Sequence, residues 1–441
     1  MKIQDFKSCL KENAACCCWL VGCVSLCLLL GCTSKPPTPA DTSVHEKESK
    51  DLPAPLIKVY VENSGSMDGY VKGVTDFENA VYSYLSALQL ADLGKKDSSS
   101  LKNRLEFNYI NSKTLPYKGD LEAFIKNLEP YTFRIRGGNR NTSDMSVMLD
   151  SVLRRMDSPN DVSVFISDCI FSPGRTFKSQ NDADGYLKQE QIDIQSHLAE
   201  HLLKAPDLAV VVLRLISQFD GYYYNKYDDK TYIKDNRPFY ICLLGDKLQL
   251  KRIMDKVDTG RIKGSGVQNM FMVSRPDAQF DYAIAIRGGQ GEYTKDEKNP
   301  KNTVKKAKVE RKGGISRFQL PIDVDFSGCL LEDGYLLDVA NYSVSNKAYS
   351  LEVSKNDAFN SSYTHVLKLN LEQPIISKGG IKITLLNKLP AWIEQYTDEE
   401  GLDIHAPGAM EKTYGLKYLM EGIYDAYSLG EEYGSITVNI K

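Results

Sequence analysis

The sequence is poor in the residues that most often carry enzyme chemistry. Histidine occurs five times and tryptophan twice in 441 residues, and there is no glycine-rich phosphate loop or dinucleotide fingerprint. The one suggestive histidine pair, His197 and His201, has the four-residue spacing of a zinc-binding helix but no H-E-x-x-H glutamate and no evident third ligand. No enzyme activity is expected. Basic excess is missing too: 55 Lys and Arg stand against 58 Asp and Glu, a net charge of -3, which leaves little to neutralise a phosphate backbone and argues against nucleic acid as a partner. Long apolar runs are confined to one place near the amino terminus, so a polytopic membrane protein is excluded. The 42% of hydrophobic residues excludes bulk disorder.

Cysteine is scarce except at one end. Seven of the ten cysteines lie in the first 32 residues, and Cys169, Cys242 and Cys329 are an odd, widely spaced remainder that gives no disulfide or zinc pattern. In the cysteine-rich segment Lys2, Lys7 and Lys11 precede an apolar run from Ala14 to Gly31, the order of a secretory signal. The run ends in Leu29-Leu30-Gly31-Cys32, which resembles the lipobox of bacterial lipoproteins. That resemblance implies a signal peptide over residues 1–31, cleavage before Cys32 and lipidation of its thiol. The same run is just long enough to remain as a single membrane anchor, and either reading puts the body of the protein outside the cytoplasm. Residues 32–55, rich in Pro, Ser, Thr and alternating charge, are expected to be a flexible tether. The expected location is the bacterial cell envelope, lipid-anchored in the outer membrane, with the periplasmic or surface face left open.

Three loops then repeat one chemistry. Leu56 to Val61 is a short apolar, β-branched run that predicts a buried strand, followed by Glu62-Asn63-Ser64-Gly65-Ser66 and by a Thr75-x-x-Glu78 capping box that opens an amphipathic helix. A second strand over Leu105 to Ile110 leads to Arg140-Asn141-Thr142-Ser143-Asp144 at the entrance of another helix. A third, Val162 to Ile166, ends in Ser167-Asp168-Cys169. Carboxylates and hydroxyls from such loops converge at the carboxyl edge of an open α/β sheet, and an oxygen-only set suits a hard cation such as Mg²⁺.

The order E-x-S-x-S, then T, then D after successive strands resembles a von Willebrand factor type A domain, whose hallmark is a metal-ion-dependent adhesion site. The resemblance implies a doubly wound, mostly parallel, Rossmann-type α/β sheet over residues 56–258. It implies a Mg²⁺ site (or Mn²⁺ or Ca²⁺) with Glu62, Ser64, Ser66, Thr142 and Asp168 as candidate ligands, and a protein partner that supplies an Asp or Glu carboxylate. Glu62 stands where the family has Asp, and its extra methylene carries the carboxylate roughly one bond length further out. A metal-free structural or scaffold lipoprotein using the same fold is the alternative.

Further strands are expected at Leu208 to Leu215 and Phe239 to Leu244, with helices at Gln191 to Leu203 and Asp246 to Val257. Between those strands Tyr222, Tyr223, Tyr224 and Tyr227 predict either a partner-contact surface or a hairpin whose rings pack across strands. Residues 259–441 alternate in short runs and predict a β-rich, immunoglobulin-like sandwich, with strands that include Phe280 to Ile286 and Tyr335 to Val344. Lys295 to Gly314 reads as a solvated loop, and the stripe Leu416, Leu419, Met420, Ile423 and Tyr427 as a helix packed on the sandwich.

Overall fold

The computed structural model describes residues 53–94, 102–172, 174, 177, 179–275, 279–285, 287–313, 315–358, 361–427 and 430–441. The expected signal peptide, the tether as far as residue 52 and the lipidation site Cys32 lie outside the described residues. No helix among the described residues is long and apolar enough to cross a membrane.

A seven-stranded sheet forms the first half. Its strands are β1 (Leu56–Glu62), β2 (Arg104–Ile110), β3 (Thr114–Tyr117), β4 (Val162–Ser167), β5 (Leu208–Tyr224), β6 (Lys230–Asp246) and β7 (Val267–Val273), in the order β3-β2-β1-β4-β6-β5-β7. The centre β2-β1-β4 is parallel because helical crossovers join these strands. The flanking pairs are antiparallel: β5 and β6 form one hairpin of 17 residues a side, and β7 folds back on β5. The four main helices of this half are α1 (Asp76–Leu90), α2 (Met145–Leu153), α3 (Gln180–Lys204) and α4 (Lys247–Lys256).

Every residue of β1 after the first is buried, as expected for a central strand covered on both faces. Ile57, Val59 and Val61 meet Phe77, Val81, Leu85 and Leu88 of α1 in one core, while Tyr60 turns to the other core with α2 and α3. The helix starts follow from side-chain caps: Thr75 Oγ1 accepts from the Glu78 amide, Asp144 from Val147, Ser179 from Asp182 and Asp246 from Leu248.

The second half has two further main sheets that share one core. One runs in the order Tyr342–Val344, Gly379–Leu386, Glu432–Ile440, Thr303–Lys308, Glu292–Lys295, and the other in the order Tyr349–Lys355, His365–Leu371, Gln319–Asp325, Asp281–Ile284. Ile322, Leu369, Ile383 and Val438 meet between them, which makes this half a β sandwich.

Several local expectations give way. The stretch expected as a loop over Lys295 to Gly314 contains the strands Thr303–Lys308 and Glu310–Lys312, and within it Asp296, 2% exposed, pairs with Lys305 at 2.9 Å. The strand expected over Tyr335 to Val344 is a short helix, Asp333–Leu337, and a 3-10 turn, Val339–Asn341, leaving only Tyr342–Val344 extended. Asp338 interrupts the strand by accepting the Ala340 amide. The apolar stripe near the end is indeed a buried helix, α5 (Leu416–Ala426), but it lies on α3 of the first half and in that half's core. Its route back is secured by two buried arginines: Arg237 donates to the Ala409 and Met410 carbonyls and Arg214 to that of Glu411.

Candidate functional site

Parallel pairing sets the ends of β1 and β4 side by side, with Val61 opposite Ile166. Glu62 and Asp168 therefore leave the sheet at the same edge. β5 runs in the same direction as β4, so the β5–β6 hairpin overhangs this edge.

The three loops are laced together by main-chain and arginine contacts. Gly65 N–H donates to the Arg140 carbonyl at 2.9 Å, and Arg140 returns Nε to the Asn63 carbonyl at 2.7 Å and a terminal nitrogen to that of Ser64 at 3.0 Å. The same guanidinium pairs with Asp68. Ser143 and Ser172 exchange main-chain bonds at 2.8 and 3.2 Å and so tie the second loop to the third. The chain must turn sharply after Asp168: Cys169 has φ 55°, a left-handed conformation unusual outside glycine, and the turn brings the Ile170 amide to Asp168 Oδ1 at 3.2 Å.

Within this frame the candidate ligands occupy two depths. Glu62 is fully buried and accepts the hydroxyls of Ser143 and Ser167, one on each oxygen. Burial, and then the charge of Asp168, push its carboxyl up to about 7, against the hydroxyls of Ser143, Ser167 and Ser64. Asp168 is 1% exposed, and its Oδ2 has no hydrogen-bond partner among the described residues. Its pKa is raised by burial, while Ser66, the Ile170 amide and the charge of Arg237 pull the other way. Ser64 and Ser66 hold their hydroxyls 3.0 Å apart. Above them opens a cleft of about 250 Å³ lined by Ser64, Ser66, Arg140, Thr142, Tyr224 and Asp228, among others.

Glu62, Ser64, Ser66 and Asp168 thus come together, but only Ser64, Ser66 and Thr142 of the candidates line the cleft, Thr142 accepting from Asn139 Nδ2 at 3.0 Å. The hydroxyl that enters the carboxylate layer from the second loop is that of its neighbour, Ser143. Of the tyrosines, Tyr224 lines the cleft and Tyr222 is exposed, edge-on to its cross-strand neighbour Tyr232 with centroids 5.3 Å apart. Tyr223 is not available for contact: strand alternation turns it inward, 3% exposed, under the Arg237 guanidinium. Tyr222, Tyr223 and Tyr224 close the β5 side of the hairpin, and Tyr227 lies in its turn.

Sequence reasoning passed over Ser143, Ser167, Arg140 and Arg237. The first two were legible, since each adjoins a candidate and strand alternation sends neighbours to opposite sides. Arg237 carries no local signal, because its role depends on carbonyls more than 170 residues away. His197 and His201 form no metal group: His201 lies 3.4 Å from Asp150, which also takes Arg154. No cluster of three or more His, Cys, Asp or Glu that could hold a metal occurs among the described residues. The candidate site offers instead two carboxylates and neutral hydroxyls. Its chemistry fits a hard, oxygen-seeking cation at one specific point, the Asp168 carboxyl, whose Oδ2 has no hydrogen-bond partner among the described residues and which the Ser66 hydroxyl approaches.

No protein-family model, curated protein or solved structure matches this chain.

Proposed function

We propose that the protein is an envelope lipoprotein whose α/β half, of the von Willebrand factor type A kind and followed by an immunoglobulin-like sandwich, binds a protein partner through a divalent cation. The observation that carries this reading is the buried Asp168 oxygen without a hydrogen-bond partner among the described residues, in a carboxyl approached by Ser66, which with Ser64 lines the cleft. An unpaired carboxylate oxygen in such a place is costly, and a cation removes the cost. Asp168, Ser64 and Ser66 would hold the ion, Mg²⁺ or Mn²⁺. Glu62 would act from behind by fixing Ser143 and Ser167. When bound, the ion supplies a positive charge that neutral hydroxyls leave poorly compensated, which favours an Asp or Glu carboxylate from the partner. Arg140 holds the first loop in shape, and the hairpin bearing Tyr224 forms the rim against which the partner packs.

The test is partner capture with and without chelator. Chelation and Asp168→Ala are each expected to abolish capture, because removing one member of a desolvated charge pair costs about 2–5 kcal/mol. Capture unaffected by both would overturn the cation bridge.

One observation favours the metal-free scaffold as a second reading. Both Glu62 oxygens already accept hydroxyls, and a carboxyl pushed up to about 7 can hold a proton where a cation would otherwise balance the Glu62–Asp168 pair. The scaffold reading expects neither cation binding nor a chelator effect.

A further inference from the structure

The two margins of the seven-stranded sheet are built differently. β3 is four residues long and contains Pro116, which removes an amide from that edge, the usual protection against stray pairing. β7 at the other margin has seven residues, Val267-Gln268-Asn269-Met270-Phe271-Met272-Val273, with neither charge nor proline. Its inner side is paired with β5. The direction of its main chain follows from one bond on the outer side: the Trp392 indole donates to the Met270 carbonyl at 3.1 Å. Main-chain groups alternate sides along an antiparallel strand, so the N–H and C=O of Met272 also face outward. They have no hydrogen-bond partner among the described residues.

A groove of about 390 Å³ runs along this edge. Met270 to Ser274 form one wall, and Tyr335, Asn341, Leu389 and Pro390 belong to the facing one. Ser274, 1% exposed, lines it with a hydroxyl that has no partner among the described residues. Glu332 and Asp338 also line it, and neither forms an ion pair among the described residues. The single lysine of the lining, Lys388, directs its ammonium to the Ala340 carbonyl.

We propose that this groove binds an extended peptide segment as a strand added to β7, with a lysine or arginine of the peptide set against Glu332 and Asp338. Met272 offers both an N–H and a C=O on the outer side, the pair that a neighbouring strand answers, so the complementary ligand is another extended backbone. Met270 to Ser274 span about 16 Å, enough for a partner strand of similar length. A second copy of β7 carries no basic residue and cannot answer the two acids. The site is separate from the cation cleft and does not depend on the reading of that cleft.

The experiment selects random seven-residue peptides displayed on phage against the full chain, then titrates the enriched peptides as synthetic molecules. Enriched sequences are expected to contain a basic residue and to bind the unaltered protein. Met272→Pro deletes the outward amide and leaves the β5 ladder in place, so binding is expected to weaken by about tenfold, the worth of one hydrogen bond, relative to Met272→Ala, which loses the same side-chain packing against the core but keeps the amide. Glu332→Lys alters an exposed residue and is expected to weaken binding about fivefold. Should Met272→Pro fail to fold, Glu332→Lys and a peptide methylated on its backbone nitrogens carry the same test. Absence of enrichment, or enriched peptides that bind every form equally, would overturn the proposal. So would self-association of the protein that Met272→Pro abolishes, which would put a second copy in the groove.

Discussion

At the scale of single residues, burial decides what each acid can do. Glu190 on α3 sits near Asp144 and accepts the Ser146 amide at 3.5 Å, and burial followed by the charge of Asp144 pushes its carboxyl up to about 7 from an ordinary 4.5. The sign follows from proton counts. Between pH 4.5 and about 7 the folded chain keeps a proton that the unfolded chain releases, so this group's contribution to stability falls as pH rises through that window. Glu190→Gln is expected to remove that part of the slope, measured as the difference between the two proteins' urea midpoints across the window. Equal slopes would show that Glu190 does not titrate there. Glu62 differs from Glu190 in having a hydroxyl on each oxygen, which is why it reads as support for the site and Asp168 as its open point.

At the scale of elements, the hairpin and the first loop form one construction. A Cβ on Gly221 would lie 2.7 Å from the Gly69 Cα, and one on Gly69 would lie 2.4 Å from the Phe219 ring. The hairpin therefore rests directly on the turn Ser66–Gly69, which begins at the candidate ligand Ser66. Gly221→Ala forces backbone against backbone and is expected to cost about 1–3 kcal/mol in urea unfolding and to weaken cation binding as the turn shifts. A neutral effect on both would separate the hairpin from the site. Much of this level was legible in sequence. The β-branched run of β1, the Thr75 cap and the order of the three loops all depend on neighbours within a few residues. The length of the hairpin was less so, because Ile216 to Tyr224 alternate only after leaving the doubly covered part of the sheet. β7 is bracketed by Gly264-Ser265-Gly266 and by Ser274 and Pro276, but Gln268-Asn269 break its apolar alternation and weaken the strand pattern.

At the scale of the whole molecule, the chain after the sandwich returns to the first half. α5 covers α3, Tyr427 donates to the Leu208 carbonyl at 3.1 Å, and Arg214 and Arg237 hold residues 409–411. Nothing in the local pattern of residues 416–427 distinguishes the sandwich from α3 as the surface to be covered, which is why an apolar stripe gave the right helix and the wrong neighbour. Met420→Asp should detach α5 from the first half's core while leaving the sandwich strand Glu432–Ile440 in place. A marked loss of stability of the first half is expected, followed by calorimetry. A variant as stable as the unaltered protein would show that the returning segment is only a cover.

The central claim is that Asp168, with Ser64 and Ser66, holds a divalent cation. Its most direct test is the melting temperature of the purified protein as Mg²⁺ or Mn²⁺ is titrated. Binding to the folded state alone stabilises it by about 2.7 kcal/mol at a hundredfold excess over Kd, so the melting temperature should climb with cation, fall back with chelator and stay flat in Asp168→Ala. A melting curve that does not move with either ion contradicts the claim.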